Sequence, residues 1–191
     1  MRLFSLIFVA LAVFASSCNS ENKTTETATT EPVGPPASKL TDAQTSQLIG
    51  VVNNYYELKD AMVATNATKA DEAAAKMQAA VDSFKANLTS DTANFATLKT
   101  DLDSITIGNK NILALKDETC EKKRIHFETV SNAVYNMLKA VELKNAGVYR
   151  QYCPMAFNDK GAYWLSNEAE IKNPYFGKKM LECGEVTDSL K

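Results

Sequence analysis

Residue types that build most catalytic and metal sites are scarce in this chain of 191 residues. It contains one histidine, and it has no His-Glu-x-x-His motif, no glycine-rich phosphate loop and no recognisable Ser–His–Asp set. The signatures of zinc proteases, nucleotide-binding loops and serine hydrolases are therefore missing. We expect a protein that is not an enzyme.

A strong charge of one sign is also missing. Lys and Arg together number 21 and Asp and Glu 23, which gives a net charge of −2 at pH 7. Such mild acidity provides no electrostatic footprint for nucleic acid or anionic lipid, so we expect no nucleic-acid partner. After the first residues, no segment has the ~20 consecutive apolar residues that a transmembrane helix needs.

The longest apolar run lies at the N-terminus. One positive charge, Arg2, precedes an almost unbroken apolar stretch from Leu3 to Phe14, which is too short for a permanent membrane span. Small residues follow it, and the pattern predicts a secretory signal peptide at residues 1–17. The next segment, Ala15-Ser16-Ser17-Cys18, resembles a bacterial lipobox, except that Ala15 replaces the usual leucine.

The lipobox predicts that Cys18 carries a lipid, and the alternative is ordinary secretion with a free Cys18. Residues 19–39 hold one valine and no larger hydrophobic side chain, so they cannot bury enough surface to fold. We therefore predict a lipid-anchored flexible tether over 18–39 and one folded domain over 40–191. The protein would sit in the cell envelope of a Gram-negative bacterium, facing the periplasm or the cell surface.

Apolar residues recur every three or four positions in four stretches of the folded part, which is typical of amphipathic helices. The predicted helices begin near Thr41-Asp42, near residues 68–71, near Phe95 with an end at Gly108, and at Ile112 or Thr119 with an end at Asn145. Four helices with short connections predict an all-α fold, an antiparallel up-and-down four-helix bundle. The basic run at 122–124 reads as a solvated helix face.

The composition changes after Gly147, where tryptophan, tyrosine, proline and glycine become frequent. Residues 148–152 and 162–165 read as short extended segments, and residues 173–177 read as a turn. We expect an irregular C-terminal cap, containing these extended segments, that covers one end or side of the bundle.

The cap contains two short sulfur-bearing segments, Cys153-Pro154-Met155 and Met180-Leu181-Glu182-Cys183. In an extended segment Cys153 and Met155 share a face, and in a helical turn Met180 and Cys183 share one. Two thiols and two thioethers form a soft ligand set that selects Cu(I), whereas zinc has little use for a thioether. The sequence thus predicts a copper site in the cap.

Each of these residues also has an ordinary structural alternative. Cys153 and Cys183 could form a disulfide that closes a thirty-residue loop, and the methionines could simply fill the core. His126 lies on the apolar stripe of the fourth helix, where a lone imidazole is more often a hydrogen-bonded structural histidine than a metal ligand, although the sulfur cluster elsewhere in the chain favours the ligand. Cys120 would point away from His126 on a helix and is left outside the site.

Several motifs resemble a bacterial family of unknown function. In chain order, these motifs are residues 55–61, Arg124-Ile125-His126-Phe127 with Ser131, 152–156, 161–166, 170–171, 173–177 and 180–184. Members are often exported lipoproteins, and the domain also occurs at the C-terminus of periplasmic adaptor proteins of copper and silver efflux pumps. The resemblance implies soft-metal handling, and it places His126, Cys153, Met155, Met180 and Cys183 on motif positions.

Two functions follow as hypotheses. The first is an envelope lipoprotein that binds a soft metal ion, Cu(I) or Ag(I), as a buffer, chaperone or resistance accessory, alongside a metal-efflux or other envelope protein. The second is a metal-free interaction module of the envelope, in which a Cys153–Cys183 disulfide stabilises the cap.

Overall fold

The computed structural model describes residues 34–190. The predicted signal peptide, the predicted lipidation site Cys18 and the predicted tether up to residue 33 lie outside these residues. Four long helices dominate the described part: α1 Asp42–Val63, α2 Ala67–Leu88, α3 Thr92–Ala114 and α4 Glu121–Ala140. The prediction of a mostly helical domain is confirmed. None of the helices within 34–190 is long and apolar enough to cross a membrane.

The first three helices begin at side-chain caps. Thr41 and Gln44 form a capping box, in which each side chain accepts the other residue's backbone N–H. Asn66 caps α2 and Asp91 caps α3, each accepting the amide three residues later. The predicted start of α1 is therefore confirmed, and α2 begins one residue earlier than the predicted segment.

Gly108 does not end α3, contrary to the prediction. The helix continues to Ala114, and Gly108 lies where α3 meets α4. A Cβ atom at this position would stand 2.5 Å from a methyl carbon of Val130 and 3.2 Å from the carbonyl oxygen of His126. The glycine therefore permits a close approach of two helices rather than a chain reversal.

The fourth helix is shorter than predicted at both ends. It begins at Glu121, where the Asp117 carboxylate accepts the amide of Lys122 at 2.6 Å. It ends at Ala140, and the Leu143 amide bonds to the Leu138 carbonyl at 3.0 Å while Glu142 adopts a φ of 53°. This hydrogen-bond pattern closes a helix C-terminus before the chain turns.

The prediction of a solvated basic face at 122–124 holds for the exposed Lys122 but is wrong for the other two residues. Lys123 and Arg124 are 1% and 5% exposed. The Lys123 ammonium donates to the Asp71 carboxylate at 2.6 Å and to the carbonyls of Ile112 and Leu115 at 2.8 Å each. Lys123 thus satisfies acceptors at the C-terminal end of α3 and ties α4 to α2.

Consecutive helices contact each other, and α4 and α1 also contact the C-terminal segment. Their inward stripes form one apolar core, whose fully buried members include Leu48, Val51, Met77, Val81, Leu98, Ile105, Val130, Val134 and Met137. The predicted stripes are confirmed by this burial. Burial of these faces supplies the main stabilisation of the fold.

The C-terminal segment forms a three-stranded antiparallel sheet in the order β2-β1-β3. The strands are β1 Val148–Cys153, β2 Ala162–Ser166 and β3 Glu185–Leu190, with a bulge between Arg150 and Gln151. The two predicted extended segments became β1 and β2. The third strand was not predicted, because its charged and small residues carry no alternating apolar pattern.

The start of the described chain lies against the turn after α4. Ala37 and Lys144 exchange two backbone hydrogen bonds of 3.2 and 2.8 Å, and Lys39 pairs with Glu142 at 2.7 Å. The chain therefore enters the domain beside the C-terminal end of α4.

Candidate functional site

Cys153 and Cys183 come together at one end of the sheet. Cys153 is the last residue of β1 and is fully buried, whereas Cys183 lies in the turn before β3 and is partly exposed. Their sulfur atoms are 2.8 Å apart. Both thiols are free, and although they are thirty residues apart in the sequence they form a pair in space, called the dithiol below.

A buried asparagine fixes the segment that carries Cys183. The Asn173 side chain donates to the Cys183 carbonyl at 2.7 Å and accepts the amides of Tyr175 and Phe176 at 2.8 and 3.3 Å. The backbone amide of Asn173 donates to the Leu181 carbonyl at 2.8 Å. One side chain therefore holds both the predicted 173–177 turn and the cysteine turn, and Asn173 is fully buried as this role requires.

Gly184 allows this turn to lie flat against the sheet. It has a φ of 148°, and a Cβ there would stand 2.8 Å from both the Trp164 ring and the Tyr152 carbonyl. No other residue fits that space in that backbone conformation. The single tryptophan of the chain is consequently placed beside the residue that follows Cys183.

The hydrogen bond to Cys153 and burial raise the pKa of the Cys183 thiol to about 11. A smaller opposing effect comes from the Met155 amide, which hydrogen-bonds to the Cys183 sulfur. The Cys183 thiol therefore keeps its proton at neutral pH, and a metal ion or an oxidant must displace that proton.

The two methionines flank the dithiol in different ways. Met155 follows Cys153 by two residues and is 46% exposed, with its backbone amide on the Cys183 sulfur. Met180 is partly buried, and its carbonyl accepts the Cys183 amide at 3.2 Å. The Cys-Pro-Met and Met-x-x-Cys segments thus meet at the cysteine pair.

A left-handed turn follows Met155. Phe157, Asn158 and Asp159 have φ values of 55°, 57° and 64°. This conformation is costly for a residue such as Phe157. Its ring lies edge-on to Tyr175, with centroids 5.3 Å apart, which holds the strained turn against the core.

The contact observed for the His126 ring is with Asn111 of α3. His126 is partly buried on α4, and its Nδ1 atom is 3.4 Å from the side-chain nitrogen of Asn111. That contact is the hydrogen bond expected of a structural histidine. Within residues 34–190, no three His, Cys, Asp or Glu side chains converge on a common metal position.

Cys120 stands apart from the dithiol. It is fully buried just before α4, and burial raises the pKa of its thiol. It provides an internal reference for the reactivity of a buried thiol.

Arg124 joins the 173–177 turn, the end of α1 and the segment before α4. The basic run at 122–124 did not indicate this role. Its guanidinium donates to the carbonyls of Pro174 at 2.7 Å, Met62 at 2.9 Å and Thr119 at 2.9 Å, and to the Thr65 hydroxyl at 2.9 Å. All five N–H groups of an arginine fork can be used in this way, which a lysine could not reproduce. Arg124 thereby attaches the 173–177 turn to the ends of α1 and α4.

An aromatic column continues this attachment towards the sheet. The Phe127 ring stacks on Tyr55 at 5.5 Å and contacts Tyr175 at 5.7 Å. The buried Tyr55 hydroxyl receives the Leu165 amide of β2 at 3.0 Å and lies 2.9 Å from the Ser131 hydroxyl. The motif residues Tyr55, Phe127 and Ser131 therefore support the C-terminal segment.

This geometry permits two kinds of chemistry at the sulfur pair. Two thiolates can bind one soft metal ion, with thioether sulfur nearby, or the two thiols can be oxidised to a disulfide. Asn173, Gly184 and Arg124 position the pair. The Asn173-Pro174 sequence predicted the turn that holds Cys183. No local sequence pattern indicated the distant hydrogen-bond partners of Arg124.

Comparison with known proteins extends to the helical part only. No curated protein and no solved structure matches the chain. The model of a family described as "Protein of unknown function (DUF3347)" matches residues 51–146. The match includes most of α1, all of α2 to α4 and His126, and it stops before Cys153 and Cys183. Because it spans half of the chain, the protein belongs to the DUF3347 family of unknown function.

Proposed function

We propose that the reduced domain binds one soft metal ion, Cu(I) or Ag(I), at the Cys153–Cys183 dithiol and acts as a buffer or chaperone, not as an enzyme. One observation carries the proposal: sulfur atoms from two distant segments lie 2.8 Å apart, beside the Met155 amide. Soft thiolate and thioether donors select Cu(I) over harder metals.

Loading the site requires a small local movement. With metal–sulfur bonds of about 2.3 Å at a tetrahedral angle, two sulfurs stand about 3.8 Å apart. The sulfurs of Cys153 and Cys183 must then separate by about 1 Å from their 2.8 Å contact. Cys183 is the mobile partner in this proposal, because it lies in a turn while Cys153 belongs to the central strand.

The proposed ligands are ranked by their placement. Cys153 and Cys183 supply thiolates, Met155 and Met180 supply thioethers from the adjoining turns, and His126 supplies an imidazole. His126 is the weakest member, since it would have to leave Asn111 and reach the dithiol. Cu(I) accepts sets of two to four such donors, so the sulfurs suffice without the imidazole.

Binding should be stronger at higher pH. Both thiols must lose their protons to bind the metal, and the Cys183 pKa is raised to about 11 by its hydrogen bond to Cys153 and by burial. Each proton released makes the apparent affinity pH-dependent. The measurement is competition with a Cu(I) chelator at several pH values between 6 and 9, with the chelator's own pH dependence subtracted.

The decisive experiment is Cu(I) titration of the reduced protein, read by metal analysis and by the fluorescence of Trp164. We expect about one Cu(I) per chain, and weaker Zn(II) binding than at a four-cysteine site. Met155→Leu and Met180→Leu keep nearly the same volume and remove the sulfur, so they test the thioethers without a large stability cost.

The metal proposal requires that at least one leucine variant loses Cu(I) affinity while its melting temperature stays unchanged. Cys153→Ser and Cys183→Ser should each lose most of the affinity. His126→Ala should leave it nearly intact if the four sulfurs suffice. Absence of Cu(I) binding by the reduced wild type would end the metal proposal.

The finer architecture and location belong to the same proposal. The four helices are taken as an antiparallel up-and-down bundle, and residues 1–39 as a signal peptide followed by a lipid-anchored tether. The protein would then face the periplasm or the cell surface and could serve a metal-efflux or other envelope protein. Cys18→Ser should release it from membranes, and unchanged detergent partitioning of that variant would contradict the anchor.

The second candidate, a disulfide-stabilised interaction module of the envelope, is favoured by the same 2.8 Å contact. The two sulfurs need to approach by less than 1 Å to reach the disulfide bond length of about 2.05 Å. In that case Cys153→Ser and Cys183→Ser should lower the stability of the oxidised protein by a similar amount. Both methionine-to-leucine variants should then have no effect on any copper measurement.

A further inference from the structure

The two sulfurs of the dithiol differ sharply in access. Cys153 is fully buried at the end of the central strand, with β2 on one side and β3 on the other. Cys183 is partly exposed in a turn whose neighbours Pro154, Met155 and Leu181 are exposed. An attacking group can therefore reach the Cys183 sulfur from solvent, but not the Cys153 sulfur.

We propose that Cys183 is the site at which an external thiol forms a mixed disulfide with this protein, and that Cys153 is the internal partner that leaves and returns. Neither the family match, which ends at residue 146, nor soft-metal binding assigns this role. Thiol exchange needs no metal, so the two proposals can fail separately.

A partner with two thiols reduces the Cys153–Cys183 disulfide in two exchange steps. An external thiolate attacks the Cys183 sulfur of the Cys153–Cys183 disulfide along the axis of the S–S bond. A new S–S bond forms to Cys183 while the old one breaks, and its electron pair leaves on the Cys153 sulfur, which takes up a proton. A second thiol of the attacking partner then displaces the Cys183 sulfur, which leaves as a thiol, so the partner dithiol becomes a disulfide.

The reverse sequence oxidises the protein. The Cys183 thiolate attacks a partner disulfide, whose S–S bond breaks and releases one partner sulfur as a thiolate that takes up a proton. The Cys153 thiolate then attacks the Cys183 sulfur of this mixed disulfide, and the second partner sulfur leaves as a thiolate that also takes up a proton. The geometry is suited to this second step, because the Cys153 sulfur already stands 2.8 Å from Cys183. The hydrogen bond from the Asn173 side chain to the Cys183 carbonyl keeps the Cys183 turn in place for it.

The environment of the reduced pair supports a partner-driven exchange. The exposed side chains of Met155 and Leu181, 46% and 38% accessible, give the surface around Cys183 an apolar character that suits contact with another protein. A small thiol such as glutathione undergoes the same exchange but is too small to cover this apolar surface.

The first test compares two variants that each keep one member of the pair. In Cys153→Ser the remaining Cys183 should react with Ellman's reagent at least about 100-fold faster than Cys153 reacts in Cys183→Ser, where access requires local opening of the sheet. The double variant Cys153→Ser/Cys183→Ser gives the background from Cys120. Equal rates, or a faster Cys153, would overturn the assignment.

The second test uses the wild type, so it does not depend on the folding of a variant. The protein is oxidised with diamide, exposed to glutathione or to a dithiol oxidoreductase whose second cysteine is replaced, quenched with acid and mapped by peptide mass. The adduct should be on Cys183 in both arms, and faster formation with the protein thiol would identify a protein partner. An adduct on Cys153, or failure of diamide to form the disulfide, would refute the proposal.

Discussion

The hydroxyl groups of two adjacent tyrosines should contribute oppositely to stability. The Tyr55 hydroxyl is fully buried, receives the Leu165 amide at 3.0 Å and pairs with the Ser131 hydroxyl at 2.9 Å. The Tyr56 hydroxyl is also buried from solvent but has no hydrogen-bond partner among the described residues. The pair Tyr55→Phe and Tyr56→Phe therefore removes the same atom from two contrasting environments.

The expected magnitudes follow from what each removal leaves behind. Tyr55→Phe leaves a buried backbone N–H of β2 without an acceptor, which costs about 1–3 kcal/mol of unfolding free energy. For a domain of this size, about 2 kcal/mol corresponds to a melting temperature lower by about 4–8 °C. Tyr56→Phe removes an unsatisfied polar atom, so its unfolding free energy should be unchanged or higher by up to about 1 kcal/mol.

The assay is urea unfolding followed by circular dichroism for the helices and by Trp164 fluorescence for the C-terminal sheet. In Tyr55→Phe the midpoints of both signals should fall together, because this hydroxyl links α1, α4 and β2. Equal stability of Tyr55→Phe and the wild type, or an equal loss in Tyr56→Phe, would refute the assignment of this hydrogen-bond centre.

Two further predictions concern the helices. Gly108→Ala should lower the unfolding free energy by about 1–3 kcal/mol, because the added Cβ meets α4. Gly50→Ala adds a Cβ in open space within α1 and should raise the unfolding free energy by about 0.5–1 kcal/mol. Thermal melts of both variants measure the two changes. The hydrogen bonds from Lys85 and Lys99 lower the pKa of Asp103 to about 2, below its unfolded value of about 3.9. The stability difference between wild type and Asp103→Asn should therefore be constant above pH ~4 and shrink as the pH falls towards ~2; a difference that grows on acidification would contradict it.

The helices were predictable because each buries one face, and that face has a period of 3.6 residues in the sequence. The local rule failed at Gly108, since a glycine after an apolar stripe looks the same whether it ends a helix or admits a neighbouring one. A glycine that ends a helix and a glycine that admits a neighbouring helix differ here only in the position of Val130, which lies in another helix.

Long-range partners explain the remaining errors. Lys123 and Arg124 look like surface charges because most of their acceptors are backbone carbonyls, which no sequence pattern displays. The acceptors of Arg124 at Met62 and Pro174 are 62 and 50 residues away in the chain. The strand β3 was missed for a related reason, because its pairing with β1 rather than its own side chains makes it a strand.

The candidate site was predictable in its sulfur members and not in its arrangement. The Cys-x-Met and Met-x-x-Cys spacings indicate soft donors, but only the fold places Cys153 and Cys183 in contact. The single histidine was a reasonable candidate ligand from its residue type alone. Its nearest recorded partner, Asn111, belongs to the neighbouring helix and could not be identified from helical spacing within α4.

The helices and the dithiol form one mechanical unit, because the same few side chains serve both. Arg124 holds the turn at Pro174, and Asn173 in that turn holds the carbonyl of Cys183. Tyr55 holds β2, which pairs with the strand that ends at Cys153. A change in bonding at the sulfur pair therefore acts on a turn attached to the ends of α1 and α4, so oxidation or metal binding should alter the stability of the helices as well as that of the sheet.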